Sequence, residues 1–163
     1  MNRALCFVVL AALVLGGCAK PAADKTGAQG MGEYRRHLIE GNVYLKQGDP
    51  QKAVASFAKA IQADPSQPEA YLVLANVFLR LKQYQQTISV CASGIQRFPE
   101  NGDLYYLLAV SQAEVGSLMG AVSAAKKSVD LFYEQNKEEE GKRAAAFFLS
   151  LVAKAREEGV ATP

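Results

Sequence analysis

Residues 34–67 read YRRHLIEGNVYLKQGDPQKAVASFAKAIQADPSQ, and residues 68–101 and 102–135 lie over them without a gap, at a fixed period of 34. The same physical roles recur in each unit. A bulky residue comes early (His37, Tyr71, Tyr105), and a small one follows a turn later (Gly41, Ala75, Ala109). Turn dipeptides stand at Gly48-Asp49, Lys82-Gln83 and Gly116-Ser117. Small residues then recur at Ala53, Thr87 and Ala121 and again at Ala60, Gly94 and Ser128. Two units close on proline, Pro65 and Pro99. A period of this length marks an array of helical hairpins.

The spacing inside each unit is helical. Tyr71, Leu74, Ala75, Phe78 and Leu81 recur at three- and four-residue steps, as do Tyr84, Ile88, Cys91 and Ile95. The pattern predicts paired antiparallel helices over 34–47 with 50–63, 68–81 with 84–97, and 102–115 with 118–133. Small residues at Gly41, Ala53 and Ala60 admit close approach of the paired helices, while Tyr44 and Phe57 fill the space between them. One hairpin cannot bury both faces, so each needs its neighbour. The expected fold class is all-α, an α-α superhelix of three helical hairpins plus a C-terminal capping helix.

These units resemble tetratricopeptide repeats. The first is the closest match, with Gly41-Asn42, Tyr44, Gly48-Asp49, Ala53, Phe57, Ala60 and Asp64-Pro65 in register. The second departs at Thr87, Cys91 and Gly94, and the third further, with Gln112 where Tyr44 and Phe78 stand. The third also replaces the closing Asp-Pro by Leu131-Phe132-Tyr133, which predicts that its second helix runs on.

At the amino end, Arg3 is the one charge before an apolar run over 4–15, followed by Leu15-Gly16-Gly17-Cys18. That run is too short to span a bilayer and reads as a secretory signal over 1–17. The leucine, two small residues and cysteine resemble the bacterial lipoprotein signal. The resemblance implies cleavage before Cys18 and lipidation of Cys18. Ala19 after it, in place of aspartate, implies an outer-membrane destination, facing the periplasm, for a Gram-negative source. Cleavage removes Arg3, leaving 17 basic against 16 acidic residues and a net charge of +1, which selects no nucleic acid. Cys91 is then left without an intramolecular disulfide partner and reads as a buried apolar side chain. Residues 18–32, rich in Ala, Gly, Lys and Pro, read as the lipidated cysteine and a flexible tether.

The three repeats occupy 33–135, and residues 136–159 break the pattern before a short tail over 160–163. Asn136 with Glu139 reads as a capping box. Glu138 with Lys142 and Glu139 with Arg143 are spaced as i,i+4 pairs. Ala144, Phe147, Phe148, Leu151, Val152 and Ala155 form an apolar stripe, and Gly159 marks the stop. This is a capping helix, or alternatively a docking helix for a partner.

No catalytic constellation, metal-ligand spacing or phosphate loop occurs, so neither an enzyme nor a cofactor is expected. The single histidine, His37, holds a position taken by tyrosine in the sister units. The expected site is the concave groove of the first helices. It comprises Leu38, Asn42, Leu45 and Lys46, then Leu72, Asn76, Leu79 and Arg80, then Tyr106 and Val110, followed by Ala113 and Glu114. Asn42 and Asn76 lie one period apart, and an amide offers both donor and acceptor to an extended peptide backbone. Repeats that clamp chaperone carboxyl termini carry lysine and arginine where this chain has Leu38, Val73, Asp103 and Leu107, so that sub-type is set aside. The expectation is a membrane-anchored, non-enzymatic adaptor or scaffold in the bacterial cell envelope, its groove receiving another envelope protein or peptide. It resembles lipoproteins of pilus or secretin assembly, outer-membrane biogenesis or cell-wall remodelling. The alternative is a periplasmic peptide-holding chaperone with many transient clients.

Overall fold

Helix starts and stops follow from local chemistry. Pro50 and Pro68 stand at the first helical positions, where a missing N–H costs nothing. Asp49 caps the helix after it by accepting from the Lys52 N–H at 3.2 Å, and Asn101 does the same for Leu104 at 3.1 Å. Between paired helices the chain turns through a left-handed residue: Gly48 (φ 76°), Lys82 (φ 57°) or Gly116 (φ 79°). The same two backbone bonds close each turn, for example Asp49 N to Tyr44 O at 2.9 Å with Gly48 N to Leu45 O at 3.2 Å.

The structure is a computed structural model that describes residues 25–159. Its elements are α1 (Lys25–Lys46), α2 (Pro50–Ala63), α3 (Pro68–Arg80), α4 (Tyr84–Arg97), α5 (Gly102–Glu114), α6 (Leu118–Glu134) and α7 (Glu138–Glu157). No strand occurs among the described residues. Each helix packs on its neighbours in the chain, and α3 also meets α5, which gives a solenoid of three hairpins closed by α7. The stretch read as a signal, 1–17, Cys18 and the tail 160–163 lie outside the described residues.

The small-residue positions explain the packing. Ala53, Thr87 and Ala121, with Ala60 and Ser128, are wholly buried, as are Ala75 and Ala109. Two of these polar groups are satisfied locally or across helices: Thr87 donates to Gln83 O at 3.1 Å, and Ser128 donates to Gly102 O at 2.9 Å. In α5, Leu104, Leu107, Ala109 and Ser111 are all buried because α3, α4 and α6 surround it.

Three details differ from the sequence reading. First, α1 begins at Lys25, inside the stretch read as tether, so residues 25–32 are helical. Met31 packs on Tyr34, Ala60 and Ala70, and a side chain at Gly30 would meet the Ala63 carbonyl at 2.9 Å. Contact with the end of α2 therefore carries the helix back past residue 33. Second, Asn136 is not an N-cap. It is the left-handed residue (φ 57°) that follows α6, and Lys137 stands at the N-cap of α7 with no side-chain cap bond. Third, Glu139 pairs with Lys142 at 2.7 Å, three residues on, instead of with Arg143.

α6 is 17 residues long against 14 for α2 and α4. The α7 stripe is used as a cap. Leu151 and Ala155 are buried against Ala109, Val122 and Ala125, with Phe147, Phe148 and Val152 packed around them. At the other end, Ile39 and Val43 are 63% and 43% exposed, whereas their sister residues Leu107 and Val77 are 7% and 3% exposed. α4 and α2 cover those sister positions; among the described residues no hairpin precedes α1 to cover its own.

Candidate functional site

The groove is built by the helices that open each hairpin, α1, α3 and α5. Turns of helix bring residues 5, 9, 12 and 13 of each unit to one side. Asn42 and Asn76 are exposed there, and so are Lys46 and Arg80. Leu38, Leu45, Leu72 and Leu79 are half-buried. Leu38 and Leu45 pack toward Phe57, Leu74 and Val77, and Leu72 and Leu79 toward Ala75, Cys91 and Leu107. The leucines thus form a floor already tied to the core, leaving the asparagines and the charged side chains to meet a ligand.

Asn76 is partly engaged. Its Nδ2 donates to Leu72 O, one turn earlier, at 2.8 Å, which orients the amide and leaves Oδ1 as an acceptor. A cleft of about 280 Å³ opens between the first two units, lined by Leu45, Gly48, Pro50, Val77, Arg80 and Leu81, and joins Leu45 to Arg80.

The third unit is different. Tyr106 and Val110 are half-buried, and the Tyr106 ring meets Phe147 of α7 edge-on, with centroids 5.6 Å apart at 60°. The last helix therefore takes up part of the surface that Tyr106 offered, and the groove stays open along α1 and α3. Ala113 is also drawn into the α6–α7 core, and Glu114 is exposed.

On the opposite edge of the groove, sequence reasoning named Asp103 alone and missed the row to which it belongs. Arg35, Glu69 and Asp103 are exposed, one period apart, eleven residues before Lys46, Arg80 and Glu114. Eleven residues make three helical turns, so both rows face the same side about 16 Å apart along each helix. The signal was available in the period itself.

Titratable groups elsewhere play structural parts. His37 is half-buried and its Nδ1 lies 3.2 Å from Glu40 Oε2; that hydrogen bond holds the Glu40 carboxyl below its ordinary range. Tyr34 donates to Glu69 at 3.3 Å, and burial, together with that carboxylate, pushes its hydroxyl up to about 12. Cys91 is wholly buried, and burial alone pushes its thiol up to about 12. Among the described residues no three His, Cys, Asp or Glu side chains gather to hold a metal ion.

Comparison with known proteins agrees with this architecture. Residues 40–93 match the family model for the tetratricopeptide repeat. Among solved structures, PcrH in complex with the chaperone binding region of PopD is similar, with a TM-score of 0.70, 19% identity, and coverage of 76% of this chain and 94% of that one. The TPR2B domain of yeast Sti1 in its pHsp70 complex gives 0.69 at 18% identity, covering 75% and 98%. The first such domain of Spaghetti (RPAP3), bound to an HSP90 peptide, gives 0.59 at 21%, covering 77% and 94%. Similarity at this level of identity concerns the fold. No curated protein sequence matches the chain significantly. The fold is thus that of a tetratricopeptide-repeat solenoid.

Proposed function

We propose that this chain is a lipid-anchored, non-enzymatic adaptor of the bacterial cell envelope that binds a segment of another envelope protein along α1 and α3. The observation that carries the binding part is the pair Asn42 and Asn76. Both are exposed one period apart, and half-buried leucines flank both. An outward amide oxygen bonds a backbone N–H of any sequence, and leucine floors accept apolar side chains, so the arrangement suits an extended segment. Solenoids of stacked repeats use such elongated faces for partners. The anchoring part rests on the Leu15-Gly16-Gly17-Cys18 sequence alone.

Crosslinking from native membranes tests the adaptor reading. It expects one stoichiometric partner, recovered at least tenfold less with Asn42→Ala/Asn76→Ala at unchanged helicity and melting temperature. Undiminished recovery would remove the groove from the account. Metabolic labelling with radioactive palmitate tests the anchor: Cys18→Ala should abolish incorporation, and persistent label would contradict it.

A holding chaperone is the second reading. Its support is that PcrH, a similar fold, was solved in complex with the chaperone binding region of PopD. Many weak clients in place of one strong partner would favour it.

A further inference from the structure

Resting on the groove reading above, we infer that the groove is electrically polarised along the array and selects a segment with acidic side chains at one end and basic ones at the other. The six exposed charges on its two edges carry this. α1 presents Arg35 and Lys46, α3 presents Glu69 and Arg80, and α5 presents Asp103 and Glu114. Sister positions thus run from two cations, through one of each sign, to two anions. Among the described residues, none of the six belongs to an ion pair within the array. The salt bridges lie elsewhere, at His37–Glu40, Lys52–Asp49, Lys126–Asp130, Lys142–Glu139 and Lys154–Glu158. The hydroxyls beside Glu69 and Glu114, those of Tyr34 and Tyr84, are uncharged groups and not cations. α7 adds Glu140 and Arg143 beside Asp103 and Tyr106, one of each sign, and so leaves the anionic end anionic.

The first helices α3 and α5 meet directly, which sets their axes roughly 10 Å apart, and α1 lies one unit beyond α3, so α1 and α5 stand at least about 20 Å apart, the span of about six extended residues. That exceeds the screening length of about 8 Å at physiological salt, so each end of a bound segment feels its own end of the groove. A ligand acidic beside α1 and basic beside α5 gains at both ends. Its reverse loses at both. Uniformly acidic segments, the kind a carboxylate clamp takes, meet repulsion at α5.

The test uses blocked peptides of one composition and the full-length protein, followed by fluorescence anisotropy at physiological salt. Each has two glutamates, two lysines and a leucine-alanine centre. One runs Glu to Lys, one Lys to Glu, and one has its charges alternated. Each exposed pair changes affinity by roughly two- to fivefold, so the better segregated peptide should bind about tenfold or more above the alternated one, with the gap closing in high salt. The quadruple variant Arg35→Glu, Lys46→Glu, Asp103→Lys and Glu114→Lys reverses the gradient at exposed positions. It should exchange the preference between the two segregated peptides. If all peptides bind equally, yet binding is still lost with Asn42→Ala/Asn76→Ala, polarity is refuted and the groove stands. Polarity is equally refuted if the quadruple variant keeps the original preference. Absence of binding by every peptide refutes both.

Discussion

Replacing Gly41 by alanine tests how the first hairpin is packed. A Cβ at Gly41 would lie 2.5, 2.7 and 2.8 Å from Cε1, Cδ1 and Cζ of Phe57, a ring with no exposed surface. Carbon atoms rest at about 3.5–4.0 Å, so the ring must retreat by about 1 Å into a filled core. Overpacking typically costs about 1–3 kcal/mol, and three ring atoms this close put Gly41→Ala in the upper half, about 2–3 kcal/mol, of which the better helix propensity of alanine returns about 1 kcal/mol. The net expectation is a loss of roughly 1–2 kcal/mol, read from urea unfolding followed by circular dichroism. The sister hairpins show what relieves it. They pair Ala75 with Cys91 and Ala109 with Ala125, all fully buried, a smaller partner wherever alanine replaces glycine. Phe57→Leu alone should cost roughly 1–2 kcal/mol through lost contacts. The double variant Gly41→Ala/Phe57→Leu should be less destabilised than the sum by at least about 1 kcal/mol. Additivity within about 0.5 kcal/mol, or a neutral Gly41→Ala, would refute steric complementarity as the reason for glycine here.

Two further expectations concern the second hairpin. Lys82 holds the left-handed turn (φ 57°) that Gly48 and Gly116 hold in the sister hairpins, so Lys82→Gly should raise stability by about 1 kcal/mol; a lower urea midpoint would contradict the turn assignment. Cys91 keeps its proton in the folded state up to about pH 12, against an ordinary value of 9.0, so above pH 9 the folded chain binds more protons than the unfolded one. Stability should therefore be intact below pH 9 and fall by on the order of 1.4 kcal/mol per pH unit from there toward pH 12, with Tyr34 adding to the loss above pH 10. Cys91→Ala should flatten the onset near pH 9, and an unchanged profile would show that the thiol is not the titrating group.

Much of the fold was legible because its determinants are local and repeated. The 34-residue period, the small residues from Gly41 to Ser128 and the turn dipeptides each act within one hairpin, so reading one unit reads the next. The α7 stripe was equally visible, since an apolar face needs covering whatever the partner. Errors came where a distant contact outvoted a local signal. Residues 25–32 look like tether until Met31 meets Tyr34 and Ala60. Asn136 looks like a cap until the end of α6 claims it for a left-handed turn.

The candidate groove divides the same way. Periodicity alone put Asn42 and Asn76 in line and set the charged rows one unit apart, because like units stacked side by side present equivalent residues on the same face. Only the stacked structure decided which of these surfaces stay open. Phe147 sits on Tyr106 while Ile39 is left bare, since exposure depends on which helix lies alongside and not on the residue's own helix. Sequence thus determined what each hairpin is and which way its side chains point. Tertiary packing, a matter of contacts between units far apart in the chain, decided which of those side chains remain free to meet a partner.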